Sequence, residues 1–455
     1  MPRPECQSGR GFFLMEPAAA VIQLNNPKTV RAWCMYDWAN SVYSLVITSA
    51  IFPVYYKAVA VTADGSDDIP FLGFTIKNSV LYSYALSFSF LIVAAILPLL
   101  SGVSDYTGHK KQFMKMFVFI GSFSCMGLYF FNDIETLWWG LLCSILASIG
   151  YSGSLVFYDA FLPEIVSEDR YDEVSARGYS MGYYGSVILM IACLVMILNF
   201  SAFGFTTEGG ATRFSFLLVG IWWILFSLMS FAVLPQHRYR IPKGNIWTKG
   251  YQEVLTVWRS LKNTPDLKRY LTAFFFYNMG VQTVMYLATL FGTDVLNLSS
   301  DKLIATILLI QLVAAFGAWL FARISRQKGN SFTLSFMISC WIVVCFVAYF
   351  INNEFQFYAL ATMVGMIMGG IQSLSRATYA KLIPENTIDH ASYFSFYDVT
   401  YNLSIVFGTF SFGIINQVTG SMRNSALALA LYFIIGLIVL NKVKSSDIAA
   451  PKSRA

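Results

Sequence analysis

The chain runs to 455 residues with a formal net charge of +6; 56% of its residues are hydrophobic and 12% are charged, whereas soluble domains carry about 25% charged residues. That balance excludes a soluble enzyme and indicates a chain that lies almost wholly within a membrane. Twelve apolar stretches, each near the roughly 20 residues that a helix needs to cross a bilayer, fall near residues 33–58, 78–101, 112–131, 136–160, 179–200, 214–234, 270–296, 303–323, 332–351, 355–380, 393–416 and 425–441.

The Lys and Arg residues gather in the segments on one side of these spans. Only Lys57, Lys77, Arg213, Lys302 and Arg423 fall on the other side, and Arg376 lies within a span. The positive-inside rule then places both termini in the cytoplasm. Topology accounts for the basic residues, so no nucleic-acid partner is expected. Cys34, Cys125, Cys143, Cys193, Cys340 and Cys345 fall in apolar runs, and the odd total of seven indicates no disulfide framework. His109, His237 and His390 sit in separate loops without metal-ligand spacing. No metal and no cofactor are expected.

Residues 1–30 carry Arg3, Arg10 and a short apolar patch but no apolar core followed by a cleavage site, so no signal peptide is expected; Met1 and Met15 both stand as the start. The first span carries Asp37, Asn40, Ser41, Ser44 and Thr48 on one helical face. Facing lipid would be costly for such a stripe, so Asn40 and Ser44 are expected to line a cavity. Asp37 either joins that face or pairs at the membrane interface.

Between the second and third spans lies a short turn, Ser101-Gly102-Val103-Ser104-Asp105-Tyr106-Thr107-Gly108-His109-Lys110-Lys111. Asp105 can accept hydrogen bonds at the end of a neighbouring helix, Gly108 permits a positive φ, and Lys110 and Lys111 hold the turn at the anionic inner surface. In the fourth span Asp159 shares a face with Ser148 and Ser152, and Pro163 marks the exit. Residues 168–177 mix charge signs and read as a solvated connection. The run Gly178-Tyr179-Ser180-Met181-Gly182-Tyr183-Tyr184-Gly185 supplies small residues for close helix packing.

The longest polar connection, from His237 to Arg269, divides the spans into two sets of six; Trp247, Tyr251, Val254, Leu255, Val257, Trp258 and Leu261 predict an amphipathic helix on the inner leaflet. The second set echoes the first. Tyr36, Asp37 and Thr48 correspond to Tyr277, Asn278 and Thr289, and Ser152, Tyr158, Pro163 and Glu164 correspond to Ser373, Tyr379, Pro384 and Glu385. Asn278, Gln282 and Tyr286 form the seventh span's own polar stripe, and the turn at 323–330 is a degenerate copy of the one at 101–111.

The tenth span holds Arg376 on a face with Gln372 and Tyr379, and the eleventh holds Asp398 beside Tyr401 and Asn402. A charge at the centre of a membrane helix costs about 3 kcal/mol unless paired or hydrated. Arg376 therefore calls for a carboxylate, Asp398 or Asp159, in a functional or a purely structural pair. With three carboxylates to one arginine, Asp37 or Asp159 is left as the candidate proton carrier.

The stretch Ser101-x-Val103-Ser104-Asp105-Tyr106-x-Gly108-His109-Lys110 resembles the G-x-L-a-D-r-x-G-r-k loop of the major facilitator superfamily, departing from it at Ser101, Tyr106 and His109. Tyr36-Asp37-Trp38-Ala39-Asn40-Ser41, Phe161-Leu162-Pro163-Glu164 and Gly370-x-Gln372-Ser373-Leu374-Ser375-Arg376 resemble the Atg22-like, or UMF1, branch, over nearly the whole chain. The resemblance implies an all-α membrane protein of twelve transmembrane helices in two six-helix pseudo-repeats, and a latch at Asp105, Gly108, Lys110 and Lys111 that clasps the halves on the inner side. The implied solute is an amino acid or similar small polar molecule.

The organisation expected is a cytoplasmic segment (1–32), a first bundle (33–234), a cytoplasmic linker (235–269), a second bundle (270–441) and a cytoplasmic tail (442–455). The expected function is secondary active transport by alternating access, proton-coupled, in a monomer whose partners are the solute, protons and membrane lipid. The membrane expected is the plasma (bacterial inner) membrane. Asn40, Ser44, Asn278, Gln282, Gln372 and Arg376 are the candidate solute-binding residues; Asp37, Asp159, Arg376 and Asp398 are the candidate proton or charge-pair residues. The alternatives are an exporter of drugs or other metabolites, a membrane-embedded enzyme and a transporter-like sensor. No G-x-x-x-x-G-K-[ST] loop is present for ATP-driven pumping.

Overall fold

Backbone in hydrocarbon must satisfy its hydrogen bonds internally, and the apolar runs accordingly fold as long helices. The structure is a computed structural model that describes residues 23–62, 65–66, 68–71, 73–236, 245–384 and 387–443. Expectations placed on Met1, Arg3, Arg10, Met15, His237 and Glu385 lie outside these residues.

The first span opens with α1 (Pro27–Val42), where Pro27 occupies the first turn and the Asn26 side chain accepts a hydrogen bond from the Lys28 N–H. It passes through a π-helical stretch (Tyr43–Ala50) into α2 (Ile51–Val59). A hairpin of β1 (Asp68–Phe71) and β2 (Phe74–Lys77), with Asp68 opposite Lys77, precedes the second span. Then come α3 (Asn78–Thr107), α4 (Lys110–Gly127), α5 (Leu137–Asp159), the single-turn α6 (Leu162–Ile165), α7 (Tyr171–Leu198) and α8 (Glu208–Val233). The linker forms α9 (Ile246–Asn263). The second set is α10 (Pro265–Leu296), α11 (Ser300–Lys328), α12 (Asn330–Phe350), α13 (Glu354–Leu382), α14 (His390–Thr419) and α15 (Met422–Leu440).

Among the described residues, eleven helical segments are long and apolar enough to cross a membrane. The 32-residue α10, the seventh span, with Asn278 and Gln282 at its middle, brings the spans of the fold to twelve. Helices overrun the apolar limits: the first begins at Pro27 rather than 33, and α10 at Pro265 rather than 270. Proline at a first helical position nucleates a polar turn that hydropathy does not register.

The second set repeats the first pair for pair. α1 packs on α7 and α8, α4 on α5 and α8, and α3 on α5; likewise α10 packs on α14 and α15, α12 on α13 and α15, and α11 on α13. Across the junction, α3 meets α14 and α7 meets α11. This is the arrangement of two parallel six-helix repeats.

Helix α9 keeps Val257 buried and Trp247, Tyr251 and Trp258 about half exposed, as an amphipathic helix should. Its other face is seated on protein. The Gly250 backbone lies so close to Gly102 and Val103 of α3 that neither glycine has room for a Cβ, Ser260 and Tyr393 of α14 share a hydrogen bond at 2.7 Å, and Trp258 lies against Phe396 with ring centroids 5.8 Å apart. The side of the molecule bearing α9, the α3–α4 turn and the α11–α12 turn is termed the linker face below.

Candidate functional site

Arg376, in the last third of α13, is 1% exposed, and the helices around it supply what a buried guanidinium needs. Nη1 donates to Asp159 Oδ1 of α5 at 3.0 Å. Nη2 donates to Asp37 Oδ2 of α1 at 3.2 Å and to the Ser175 carbonyl of α7 at 3.1 Å, and Nε donates to Ser175 Oγ at 3.0 Å. The Tyr158 hydroxyl donates to the same Asp37 oxygen at 2.7 Å. The guanidinium also lies 4.7 Å from the ring centre of Trp33, 4.3 Å from that of Tyr179 and 5.4 Å from that of Tyr158. Every partner belongs to the first six spans, so one side chain of the second half is bound wholly by the first.

The sequence left Asp159 and Asp398 as partners for Arg376; Asp159 takes that place, and Asp37 joins it. Asp398 is not a partner of Arg376. Its Oδ2 accepts from Asn402 Nδ2 at 2.7 Å, and it has no ion-pair partner among the described residues. Gly178 of α7 makes the cluster possible, because a Cβ there would collide with the Asp37 carboxylate.

Above this cluster, away from the linker face, the halves enclose a cavity of about 160 Å³. Asp37, Asn40, Ser44, Asp159, Gln282, Gln372, Arg376 and Asp398 all line it. Asn278 does not: it donates to Ser404 Oγ of α14 at 2.6 Å and accepts from Gln282 Nε2 at 3.2 Å, so it joins α10 to α14 and orients Gln282. Gln372 accepts from the Tyr183 hydroxyl at 2.7 Å, another bond between the halves.

Sequence reasoning missed Gln311 and several tyrosines, among them Tyr43, Tyr151 and Tyr397, which also line the cavity, as does Tyr286 of the seventh span's stripe. Gln311 stood as an isolated polar residue in an otherwise apolar run, a signal that could have been read. It missed the π-helical stretch too, which presents Tyr43, Ser44, Thr48 and Ser49 to the cavity; such irregular turns recur at functional sites.

On the linker face Asp105 accepts from the backbone N–H groups of Ser392 at 2.7 Å and Ala391 at 3.2 Å. It therefore caps the N-terminus of α14, whose dipole favours an anion. Gly108, at φ 70°, ends α3 in the left-handed region. The lysines behave otherwise than expected: Lys110 is buried against Glu164 and the Ala160 carbonyl, and Lys111 donates to the Leu234 carbonyl at 2.8 Å. Both tie the first half to itself instead of resting at the lipid surface.

A second inter-half clasp lies where the sequence suggested a solvated connection. Asp172, 6% exposed at the start of α7, accepts from Lys381 Nζ at 2.8 Å, Asn330 Nδ2 at 2.8 Å and Ser325 Oγ at 3.2 Å. Ser325 and Asn330 belong to the 323–330 turn. The two clasps thus stand in repeat-related places, α3 against α14 and α7 against α11.

The family described as vacuole effluxer Atg22 like matches residues 25–447. The MFS-type transporter YxiO of Bacillus subtilis is 32% identical over 416 residues, covering 91% of this chain and 94% of its own length. Autophagy-related protein 22 of Cryptococcus neoformans is 22% identical, covering 92% and 95%. Among solved structures, the major facilitator transporter FucP in its outward conformation superposes with a TM-score of 0.67 at 12% identity, covering 92% of this chain and 98% of FucP. The human organic anion transporter MFSD10 gives 0.70 at 12% identity, covering 92% and 100%. This chain belongs to the Atg22-like family and has the twelve-helix major facilitator fold.

Proposed function

We propose that the chain is a secondary active transporter that moves a small polar solute by alternating access, coupled to protons, with an amino acid or related metabolite as the first class to test. The observation that carries this reading is the Arg376 cluster. It binds the two halves directly beneath a polar cavity, on the side where the Asp105 and Asp172 clasps also join them. Two comparisons support the proposal: the family is named for vacuolar efflux, and FucP of Escherichia coli, which shares the fold, is described as a fucose:proton symporter.

In this reading the linker face is cytoplasmic, as the Lys and Arg distribution indicates, the membrane is the plasma membrane, and the protein acts as a monomer. Protonation of Asp37 or Asp159 cancels one charge facing Arg376 and weakens the guanidinium bridge between the halves at that depth. The linker face then opens, and the cavity exchanges one side for the other. Asn40, Ser44, Gln282 and Gln372 supply hydrogen bonds to the solute, while Arg376 acts as the gate.

Uptake and counterflow of a labelled solute panel in proteoliposomes, with and without a pH gradient, test the proposal. Wild-type protein should move at least one solute faster with the gradient, and Arg376→Ala should not. Equal transport by Arg376→Ala would remove the gate from this account.

A further inference from the structure

We propose that the transported solute is an organic cation, its ammonium group seated between the Asp398 carboxylate and the ring of Tyr401. This rests on the transporter reading above and adds the charge of the solute to it.

The cavity wall contains three carboxylates, Asp37, Asp159 and Asp398, and one cationic side chain, Arg376. Arg376 is already bound through four hydrogen bonds to Asp37, Asp159 and Ser175, and the faces of Trp33 and Tyr179 cover it. An anion reaching the cavity would therefore meet no uncommitted cation among the lining residues and an excess of negative charge. A cation meets the reverse.

Asp398 is 8% exposed and lines the cavity, with Asn402 Nδ2 on one oxygen. Tyr401 follows it at i+3 on the same helix, so carboxylate and ring lie on one face of α14. An aromatic face beside a carboxylate is the arrangement that holds an ammonium group. Gln311 gives an independent pointer. It is 8% exposed, it lines the same cavity, and its Oε1 has no hydrogen-bond donor among the described residues. An unmatched carbonyl oxygen in a buried site is completed by a donor, which a second N–H or O–H group elsewhere on the solute supplies. Across the cavity, Asn40 is 1% exposed and its Nδ2 has no acceptor. It is the matching donor for a hydroxyl or carbonyl oxygen elsewhere on the solute.

The test is thermal shift and proteoliposome counterflow on the full chain with five probes: putrescine, choline and L-lysine as cations, L-leucine as a zwitterion and succinate as an anion. At least one cation should stabilise and exchange through the wild type, while leucine and succinate do neither. Asp398→Asn, which still accepts the Asn402 hydrogen bond, should weaken that cation's affinity by about tenfold or more. Asp398→Glu keeps the charge and should retain binding, which separates loss of charge from loss of fold.

Silence toward all three cations overturns the inference, as does undiminished cation binding by Asp398→Asn. Exchange of leucine or succinate without any cation overturns it while leaving the transporter reading in place. Failure of every probe in both assays counts against the two together.

Discussion

Arg376 and Asp37 stand 339 positions apart in the chain, yet the guanidinium Nη2 of one lies 3.2 Å from a carboxylate oxygen of the other. The contact joins the tenth span to the first, and Asp159 completes it from the fourth at 3.0 Å. Removing one member of a buried pair costs about 3–5 kcal/mol, because the remaining charge is left uncompensated. Arg376→Ala strands two carboxylates. It should lower the unfolding temperature in detergent, and Arg376→Lys, which keeps a cation beside both carboxylates, should recover part of the deficit. Equal deficits in the two variants would show that packing against Trp33 and Tyr179, and not charge, is what the substitution removes.

Gly178→Ala tests the same cluster without altering any charge. Its new Cβ would fall on the Asp37 carboxylate, and overpacking of this kind costs about 1–3 kcal/mol. Transport should fall along with thermal stability. Normal stability and transport in this variant would mean that Asp37 can leave Arg376 freely.

Asp105 holds the first amides of α14 by charge and hydrogen bonding together. Asp105→Asn removes the charge, and an anion at a helix N-terminus contributes about 0.3–2 kcal/mol. The linker face should open more often, read as faster maleimide labelling of Ser392→Cys on a background lacking the native cysteines. Asp172→Asn, at the repeat-related clasp to Lys381, should act in the same direction. Both substitutions combined should exceed either alone.

Helix α9 is held to α3 by the contact of Gly250 with Gly102 and to α14 by Ser260 and Tyr393. Gly250→Val should push α9 off α3 and lower the unfolding temperature, whereas Tyr251→Ala, on the exposed side, should change it by about 0.5 kcal/mol or less. Equal effects from the two would place α9 outside the packed bundle.

The architecture could be read in the residues because a membrane imposes a length and an apolarity on each span, and because repeated halves leave paired polar stripes. Asp105 and Gly108 were legible for the same local reason, a tight turn between two spans. The partnership of Arg376 was legible only in kind. An intramembrane arginine demands a carboxylate, but choosing among Asp37, Asp159 and Asp398 requires knowing which helices converge at its depth. Asp172 was misread because an acidic residue in a mixed-charge loop looks the same whether water or Lys381 faces it. Asn278 carried the right signal for a polar face, yet its partner Ser404 turned that face toward a neighbouring helix. The π-helical stretch at Tyr43–Ala50 leaves no mark in a hydrophobic pattern.

The most direct test of the Arg376 closure is a distance measurement by electron–electron spin resonance between labels on the two halves at the linker face. Arg177→Cys on α7 and Gln327→Cys on α11 are suitable sites, since both native side chains are exposed. With Arg376 in place the labels should give one predominant short distance, and Arg376→Ala should add a longer population. The same distance distribution in both proteins would contradict the claim that the Arg376 cluster holds this face closed.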